Sequence, residues 1–191
     1  MADDYRVAKS EVTHTGMLSN VRVDQVVMPD GDTAKREVVE HANAVGIVAL
    51  DEQGRVVLLR HYRHALGERM IEIPAGKLDI EGEAPADAAR RELVEETGLV
   101  AGELVELLHF ANSGGWSDEA TTVYLAPDAR PGKAAQDFVA AHEEADLEVF
   151  RVPLDEAVAM IERGEIRDAK SVIGLLLAQR KLSASGKTAT T

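Results

Sequence analysis

The sequence lacks several features that would point to particular classes of protein. Its 191 residues include no cysteine, which excludes disulfide bridges, thiolate zinc sites and a cysteine nucleophile. Basic residues are scarce, since 21 Lys and Arg stand against 34 Asp and Glu and give a formal net charge of −13 at pH 7. Proteins that bind nucleic acid gain affinity from a basic face, so we expect no nucleic-acid partner.

The sequence also has no apolar run long enough to cross a bilayer. Its first six residues lack the basic and then apolar pattern of a secretory signal. We therefore expect a soluble, cytoplasmic protein that does not associate with membranes.

Apolar patterning predicts a core and a set of short strands. Hydrophobic residues make up 45% of the chain, enough for one domain or a domain with a small added lobe. Alternating apolar residues on either side of the turn at 29–32 predict a hairpin. A second hairpin is predicted from residues 44–50 and 56–62 around the turn at 51–54. Further strands are predicted at 70–73, 104–110, 121–125 and 147–152.

Capping residues predict three helices, at 85–97, 154–163 and 169–182. Pro85 suits the first turn of the first helix, Gly98 suits its left-handed end, and Asp168 suits the N-cap of the third helix. Strands and helices do not alternate as regular βαβ units, so the sequence predicts an α+β fold. We expect an N-terminal β-strand extension at 1–42, a main domain at 43–182 and a flexible tail at 183–191.

The first predicted helix carries a cluster of glutamates. At about 100° per residue, Glu92, Glu95 and Glu96 fall within roughly one quadrant of the helix. Like charges at this spacing repel, so either a cation compensates them or they form an ordinary solvated face. The three residues alone leave both interpretations open. Hard oxygen ligands of this kind suit Mg²⁺ or Mn²⁺.

The wider pattern around this helix resembles the Nudix box. Gly76 is followed by six residues and Glu83, then by seven residues and the run Arg91-Glu92-Leu93-Val94-Glu95-Glu96-Thr97-Gly98-Leu99. The usual spacer between the glycine and the first glutamate has five residues, so this chain carries one extra residue before the helix. The resemblance implies a Nudix-type α/β/α sandwich, here with an N-terminal antiparallel β extension.

The resemblance also implies roles for individual residues. The predicted metal ligands, for Mg²⁺ or Mn²⁺, are Glu92, Glu95, Glu96 and the backbone carbonyl of Ala75. Glu83 and Arg91 would orient the box, and Arg91 and Glu96 are predicted catalytic residues. In similar enzymes a glutamate in a later acidic loop acts as a metal ligand or general base, which here predicts Glu143 or Glu144 without choosing between them.

Within the family, most of the chain is similar to the ADP-ribose pyrophosphatases. The resembling stretches include Arg36–His41, His61–Arg63, Glu72–Gly76, Gly115–Glu119 and Ala169–Ile173. They predict Arg36, Arg63, Trp116 and Glu119 as substrate-binding residues. A guanidinium can grip two pyrophosphate oxygens, which suits Arg63, and Trp116 is predicted to stack on a base or ribose, with a core or interface position as the alternative. One departure is Gly114, where that subfamily usually has proline.

The resemblance predicts a hydrolase that cleaves ADP-ribose or a related nucleoside diphosphate sugar to a nucleoside monophosphate and a sugar phosphate. We expect a small nucleotide-sugar substrate and a homodimer formed through the N-terminal strands. The alternatives are a pyrophosphatase for another substrate, such as GDP-mannose or a dinucleotide polyphosphate, and a nucleotide-sugar sensor without catalysis.

Overall fold

The computed structural model describes residues 4–132, 146–184 and 186, and the chain divides into two compact units. The first unit contains the residues up to Asn43 together with Ala111–Ala120, and the second contains Ala44–Phe110 and the residues from Thr121 onward. The elements, in chain order, are β1 Arg6–Thr15, β2 Ser19–Val27, β3 Thr33–His41, β4 Ala44–Ala49, β5 Arg55–Arg63, β6 Glu68–Glu72, β7 Ala75–Lys77, α1 Pro85–Thr97, β8 Leu99–Val100, β9 Val105–Ala111, β10 Ala120–Ala126, β11 Arg130–Pro131, β12 Glu148–Pro153, α2 Leu154–Glu162 and α3 Ala169–Ala184.

The first unit contains a three-stranded antiparallel sheet in the order β1-β2-β3. The predicted first hairpin is confirmed, because β2 and β3 pair in register from Ser19–His41 to Val27–Thr33. Strand β1 was not individually predicted. Its few apolar residues, Val7, Ala8 and Val12, do not alternate with polar ones, and all ten residues of the strand are exposed.

The second unit has helices on both faces of a sheet in the order β7-β4-β10-β9. Strands β4 and β10 are parallel and lie at its centre. Because successive side chains of a strand face opposite ways, Val45 and Ile47 pack with Leu93 of α1, whereas Val48 packs with Leu175 of α3 on the other side. This layering confirms the predicted α/β/α arrangement.

The predicted second hairpin is wrong in its pairing, although both strands exist. Strands β4 and β5 share a single bridge, from Leu50 to Val56, beside the turn. Beyond it, β4 lies between β7 and β10, and β5 lies between β12 and β6. Both strands have largely buried centres, so their backbone groups need hydrogen-bonding neighbours at both edges. The local turn signal does not specify those distant neighbours.

The three predicted helices are present, and their capping residues act as expected. Gly98 adopts a left-handed conformation with a φ of 69°, and its N–H donates to the carbonyl of Val94 at 2.8 Å. Asp168 caps α3, since its carboxylate accepts the N–H of Ser171 at 3.0 Å. Within the described part of the chain, no helix is long and apolar enough to cross a membrane.

Candidate active site

The glutamates of α1 face a short strand that is held on two sides. Strand β7 pairs antiparallel with β4, with Ala75 opposite Gly46 and Gly76 opposite Val45. The same strand packs against α1. The loop from β7 to the helix therefore begins from a fixed backbone, which keeps Ala75 and Gly76 beside the carboxylates.

Arg91 binds three glutamates, namely Glu83 before α1 and Glu92 and Glu95 within it. Its Nε and Nη2 each donate to one oxygen of Glu83 at 3.0 Å, a two-point contact that fixes the guanidinium plane. Its Nη1 donates to Glu92 at 2.7 Å and to Glu95 at 3.0 Å. The hydrogen bond with Glu83 is the main cause that raises the pKa of Arg91, and the same bond lowers the pKa of Glu83. This bonding suits the predicted orienting role of the two residues.

Gly76 allows the carboxylate of Glu92 to lie directly against the backbone of β7. A Cβ atom at Gly76 would stand 1.8 Å from the carboxyl carbon of Glu92 and 2.1 and 2.3 Å from its two oxygens. No other residue fits this position without displacing Glu92. The extra spacer residue lies between Gly76 and Glu83, and both the Gly76–Glu92 approach and the Arg91–Glu83 contact are kept.

Glu96 is the most perturbed carboxylate of the group. Burial is the main cause that raises its pKa to about 8, and the negative charge of Glu92 raises it further. One oxygen of Glu96 accepts the backbone N–H of Ala75 at 2.9 Å. Burial also raises the pKa of Glu92, which Arg91 opposes and Glu95 reinforces. The acidic face formed by Glu92, Glu95 and Glu96 therefore retains repulsion that Arg91 relieves only in part and that a cation would reduce further.

The donor set fits a hard divalent cation, because it consists of carboxylate oxygens that repel one another. The residues that would hold it are Glu92, Glu95 and Glu96, with Ala75 adjacent. Among residues 4–132, 146–184 and 186, however, no three acidic or histidine side chains are already close enough together to hold a metal. Arg91 engages Glu92 and Glu95 in this arrangement. The predicted ligands thus share one face but do not form a closed site.

Two cations, Arg63 and Lys170, lie next to this acidic face and share the carboxylate of Glu72. Glu72 is only 2% exposed and accepts two hydrogen bonds from Arg63, from Nε at 2.7 Å and from Nη2 at 2.6 Å. Lys170 of α3 donates to the same carboxylate at 2.6 Å. Burial alone would raise the pKa of Glu72, but the bonds and charges of Arg63 and Lys170 lower it to about 2. The charges of Lys170 and Arg63 also act on Glu96, where they oppose the rise of its pKa.

Sequence reasoning identified Arg63 but missed Glu72 and Lys170 as members of this group. Residues 72 and 170 are 98 positions apart, so no local spacing connects them. One signal was available, since Glu72 interrupts the apolar run Met70-Ile71-Glu72-Ile73. A charge buried within such a strand requires a partner, although the sequence does not identify it.

The other predicted substrate-binding residues lie in the first unit. Arg36 is exposed on β3, and Trp116 is 59% exposed, which does not suit a core position. The segment 111–120 is fixed to β3, because Val39 donates its N–H to the carbonyl of Trp116 at 2.8 Å. Glu119 lies 3.4 Å from the Nδ1 atom of His41. Arg63 and the predicted metal ligands belong to the second unit.

The predicted base, Glu143 or Glu144, lies outside the described residues. The first described residue after this acidic run is Asp146, which is bound by Arg69 of β6. The Nη1 atom of Arg69 donates to the backbone carbonyl of Asp146 at 3.1 Å, and its Nη2 atom contacts the Asp146 carboxylate. Asp146 is therefore tied to β6.

Comparison with known proteins gives concordant matches. The NUDIX domain family profile matches residues 40–175. An ADP-ribose pyrophosphatase of Mycobacterium tuberculosis (strain ATCC 25618 / H37Rv) is 43% identical over 91% of this chain and 82% of its own length. An ADP-ribose pyrophosphatase of Bacillus subtilis (strain 168) is 33% identical over 94% of both chains. A GDP-mannose pyrophosphatase of Enterobacter sp. (strain 638) is 34% identical over 73% of this chain and 74% of its own.

The fold is also similar to a solved structure. A protein described as an ADP compounds hydrolase superposes with a TM-score of 0.82 and covers 97% of both chains, at 23% sequence identity. At that identity the similarity supports the fold alone.

Proposed function

This chain belongs to the NUDIX domain family and is a Nudix hydrolase, and from that premise we propose that it cleaves ADP-ribose, or a related nucleoside diphosphate sugar, to a nucleoside monophosphate and a sugar phosphate. The observation that carries the proposal is the crowded face of Glu92, Glu95 and Glu96, on which Glu92 lies against Gly76 and Glu96 against Ala75. A divalent cation would bring the positive charge that compensates this face, and the substrate phosphates would bind to that cation.

The proposed reaction depends on a divalent metal, Mg²⁺ or Mn²⁺, held by Glu92, Glu95 and Glu96 with the carbonyl of Ala75. When bound, such a metal neutralises pyrophosphate oxygens and lowers the pKa of a coordinated water. Arg91 keeps Glu92 and Glu95 on one side of the helix, and Glu143 or Glu144 is the proposed base. Arg63 is the proposed pyrophosphate ligand, since its side chain is 40% exposed while its partner Glu72 is buried.

Residues of the first unit are proposed to bind the nucleoside end of the substrate. Trp116 offers an exposed ring for stacking on a base, and Arg36 and Glu119 offer charged groups for hydrogen bonds to polar atoms. Replacing Trp116 with alanine should raise the KM for ADP-ribose while leaving that for a shorter substrate such as inorganic pyrophosphate unchanged. Equal effects on both substrates would contradict a role at the nucleoside end.

We also propose that the protein forms a homodimer through its N-terminal strands. Strand β1 is an edge strand, and apolar side chains on it and on the following turn are exposed, namely Val7, Val12, Met17 and Leu18. Exposed apolar groups beside an unpaired strand edge favour pairing with another chain. Sedimentation velocity should give a dimer for the wild type and a monomer for Val7→Lys/Val12→Lys; a monomeric wild type would refute the proposal.

The experiment that tests the reaction is a substrate panel under identical metal conditions. The protein is incubated with Mg²⁺ and, in turn, ADP-ribose, GDP-mannose and a dinucleotide polyphosphate, and products are separated by chromatography. We expect AMP and ribose phosphate from ADP-ribose at the highest kcat/KM. The GDP-mannose pyrophosphatase relative makes GDP-mannose the second candidate substrate, which would show as a reversed preference. No nucleoside monophosphate from any nucleoside diphosphate sugar would refute the proposed reaction.

A further inference from the structure

The carboxylate of Glu72 is shared by two cations that differ in exposure. The Arg63 side chain is 40% exposed, whereas that of Lys170 is only 14% exposed. Both bind the same oxygen, Oε2, at 2.6 Å. Of the three groups, Arg63 is therefore the one with most surface to offer a ligand, whereas Lys170 is largely buried.

Lys170 is fixed by the first turn of α3. Its ammonium group lies 3.0 Å from the carboxylate of Asp168, the residue that caps the helix. Asp168 also accepts the hydroxyl of Ser171 at 2.6 Å, and that hydroxyl accepts the backbone N–H of Ile73 at 2.9 Å. Ser171 is completely buried. The start of α3 is thus bound at two points to the end of β6 and the residue after it, through Lys170 to Glu72 and through Ser171 to Ile73.

This arrangement restricts the guanidinium of Arg63. Two of its nitrogens, Nε and Nη2, bind the two oxygens of Glu72, so the orientation of the carboxylate determines the plane of the guanidinium. Lys170 holds one of those oxygens independently of Arg63. Without Lys170, the carboxylate would keep Arg63 as its main partner and could rotate with it, and the orientation of Arg63 would loosen.

We propose that Lys170 is a positioning residue for substrate binding: it fixes the Glu72 carboxylate, which in turn fixes the Arg63 guanidinium in the orientation that grips the substrate pyrophosphate. The inference rests on the proposed function, because it assigns Arg63 to that pyrophosphate. It predicts that Lys170 contributes to affinity only while Arg63 is present.

A double-mutant cycle tests this dependence. KM and kcat for ADP-ribose are measured for the wild type, Lys170→Met, Arg63→Met and the double variant, and the Kd of ADP is measured by calorimetry without added metal. We expect Arg63→Met to raise KM and Kd about 30-fold, since hydrogen bonds to charged groups are strong. Lys170→Met should raise both about 5- to 10-fold with little change in kcat, a shift typical of lost ground-state binding. The double variant should match Arg63→Met within about twofold.

Matched variants separate positioning from a general effect on folding. Lys170→Arg keeps the cation and should recover most of the affinity. Arg167→Met removes a cation at the same junction, where Arg167 binds Glu68 of β6 at 2.6 Å, and it should leave KM unchanged. If Lys170→Met does not fold, the cycle is carried out with Lys170→Gln, which retains a hydrogen-bond donor.

Multiplicative effects of the two substitutions on both KM and Kd would overturn the inference, because Lys170 would then act independently of Arg63. An equal rise of KM in Arg167→Met would overturn it as well. The proposed function fails separately, if the wild type releases no nucleoside monophosphate from any nucleoside diphosphate sugar. In that event the ADP-binding cycle still decides whether Lys170 acts through Arg63.

Discussion

Substituting Gly76 with alanine tests the geometry of the acidic face most directly. The added methyl group would stand 1.8 Å from the carboxyl carbon of Glu92, whereas ordinary contact begins at 3.4 Å, so the carboxylate must move by about 1.6 Å. Gly76 does not have a positive φ, so the alanine backbone itself is unstrained. Such a shift would also break the 2.7 Å bond between Glu92 and Arg91. The substitution therefore displaces a predicted ligand without removing it.

We expect turnover to fall about 100-fold, the usual effect of displacing a reacting group by 1 Å or more. The free energy of unfolding should fall by only about 1–2 kcal/mol, because overpacking costs about 1–3 kcal/mol and alanine restricts the unfolded chain relative to glycine. ADP-ribose turnover at saturating Mg²⁺ and urea unfolding measure the two quantities.

A second substitution serves as the control for Gly76→Ala. Glu92→Asp shortens the side chain by one methylene and makes room for the added methyl group. The double variant Gly76→Ala/Glu92→Asp should therefore regain the lost stability but not the turnover. If Gly76→Ala alone keeps at least half of the wild-type turnover, the position of Glu92 against β7 is not required for catalysis, and the reasoning fails.

Substitutions at three further positions test charge and packing. Glu96→Gln should cut turnover on the order of 100-fold while the protein still folds, because it removes both a ligand and a repulsion. The pKa of Glu96 is raised to about 8, so the folded protein binds a proton that the unfolded chain releases near pH 4.5. In thermal melts with a chelator, the wild type should therefore lose stability as pH rises from about 4.5 to 8, and Glu96→Gln should show no such loss. The pKa of Glu72 is lowered to about 2, so the ionised carboxylate should contribute about 3 kcal/mol to the free energy of unfolding above pH 4.5 and lose that contribution as pH falls towards 2. Acid unfolding of Glu72→Gln should lack this step, and an acid midpoint identical to that of the wild type would contradict the prediction. Gly174→Ala would place a methyl group 2.9 Å from Val48 and Val123. Urea unfolding should show a free energy of unfolding lower by about 1 kcal/mol, because overpacking outweighs the gain in helix propensity. A more stable variant would mean that this interface has room for the methyl group.

Helix α1, which carries the glutamates, could be predicted because the residues that determine it lie close together in the sequence. Pro85 and Gly98 mark its ends, and the spacing of Glu92, Glu95 and Glu96 follows directly from the helical repeat. The same locality holds for the hairpin of β2 and β3, whose turn joins strands that do pair. In both cases the residues that determine the structure are close in sequence, since Pro85 and Gly98 are 13 positions apart and a short turn joins Val27 to Thr33.

Other features could not be predicted because they depend on distant partners. The turn at 51–54 gave no sign that β4 would pair with β10, a strand more than 70 residues later. The link from Glu72 to Lys170 is of the same kind, since it exists only once α3 lies beside β6. The contact of Glu92 with Gly76 depends on how closely α1 approaches β7, which no residue pattern measures.

The contact between α3 and Glu72 determines how late during synthesis the second unit can finish folding. During synthesis, strands β4 to β7 and helix α1 leave the ribosome well before Lys170 does. Until then the Glu72 carboxylate lacks one of its two cations, and the apolar face that contains Val48 and Val123 lacks the helix that covers it. The second unit therefore cannot complete its core, or bind Glu72 through both cations, before α3 has emerged. A nascent chain that already displays Glu92, Glu95 and Glu96 would still lack Lys170, and with it the proposed positioning of Arg63.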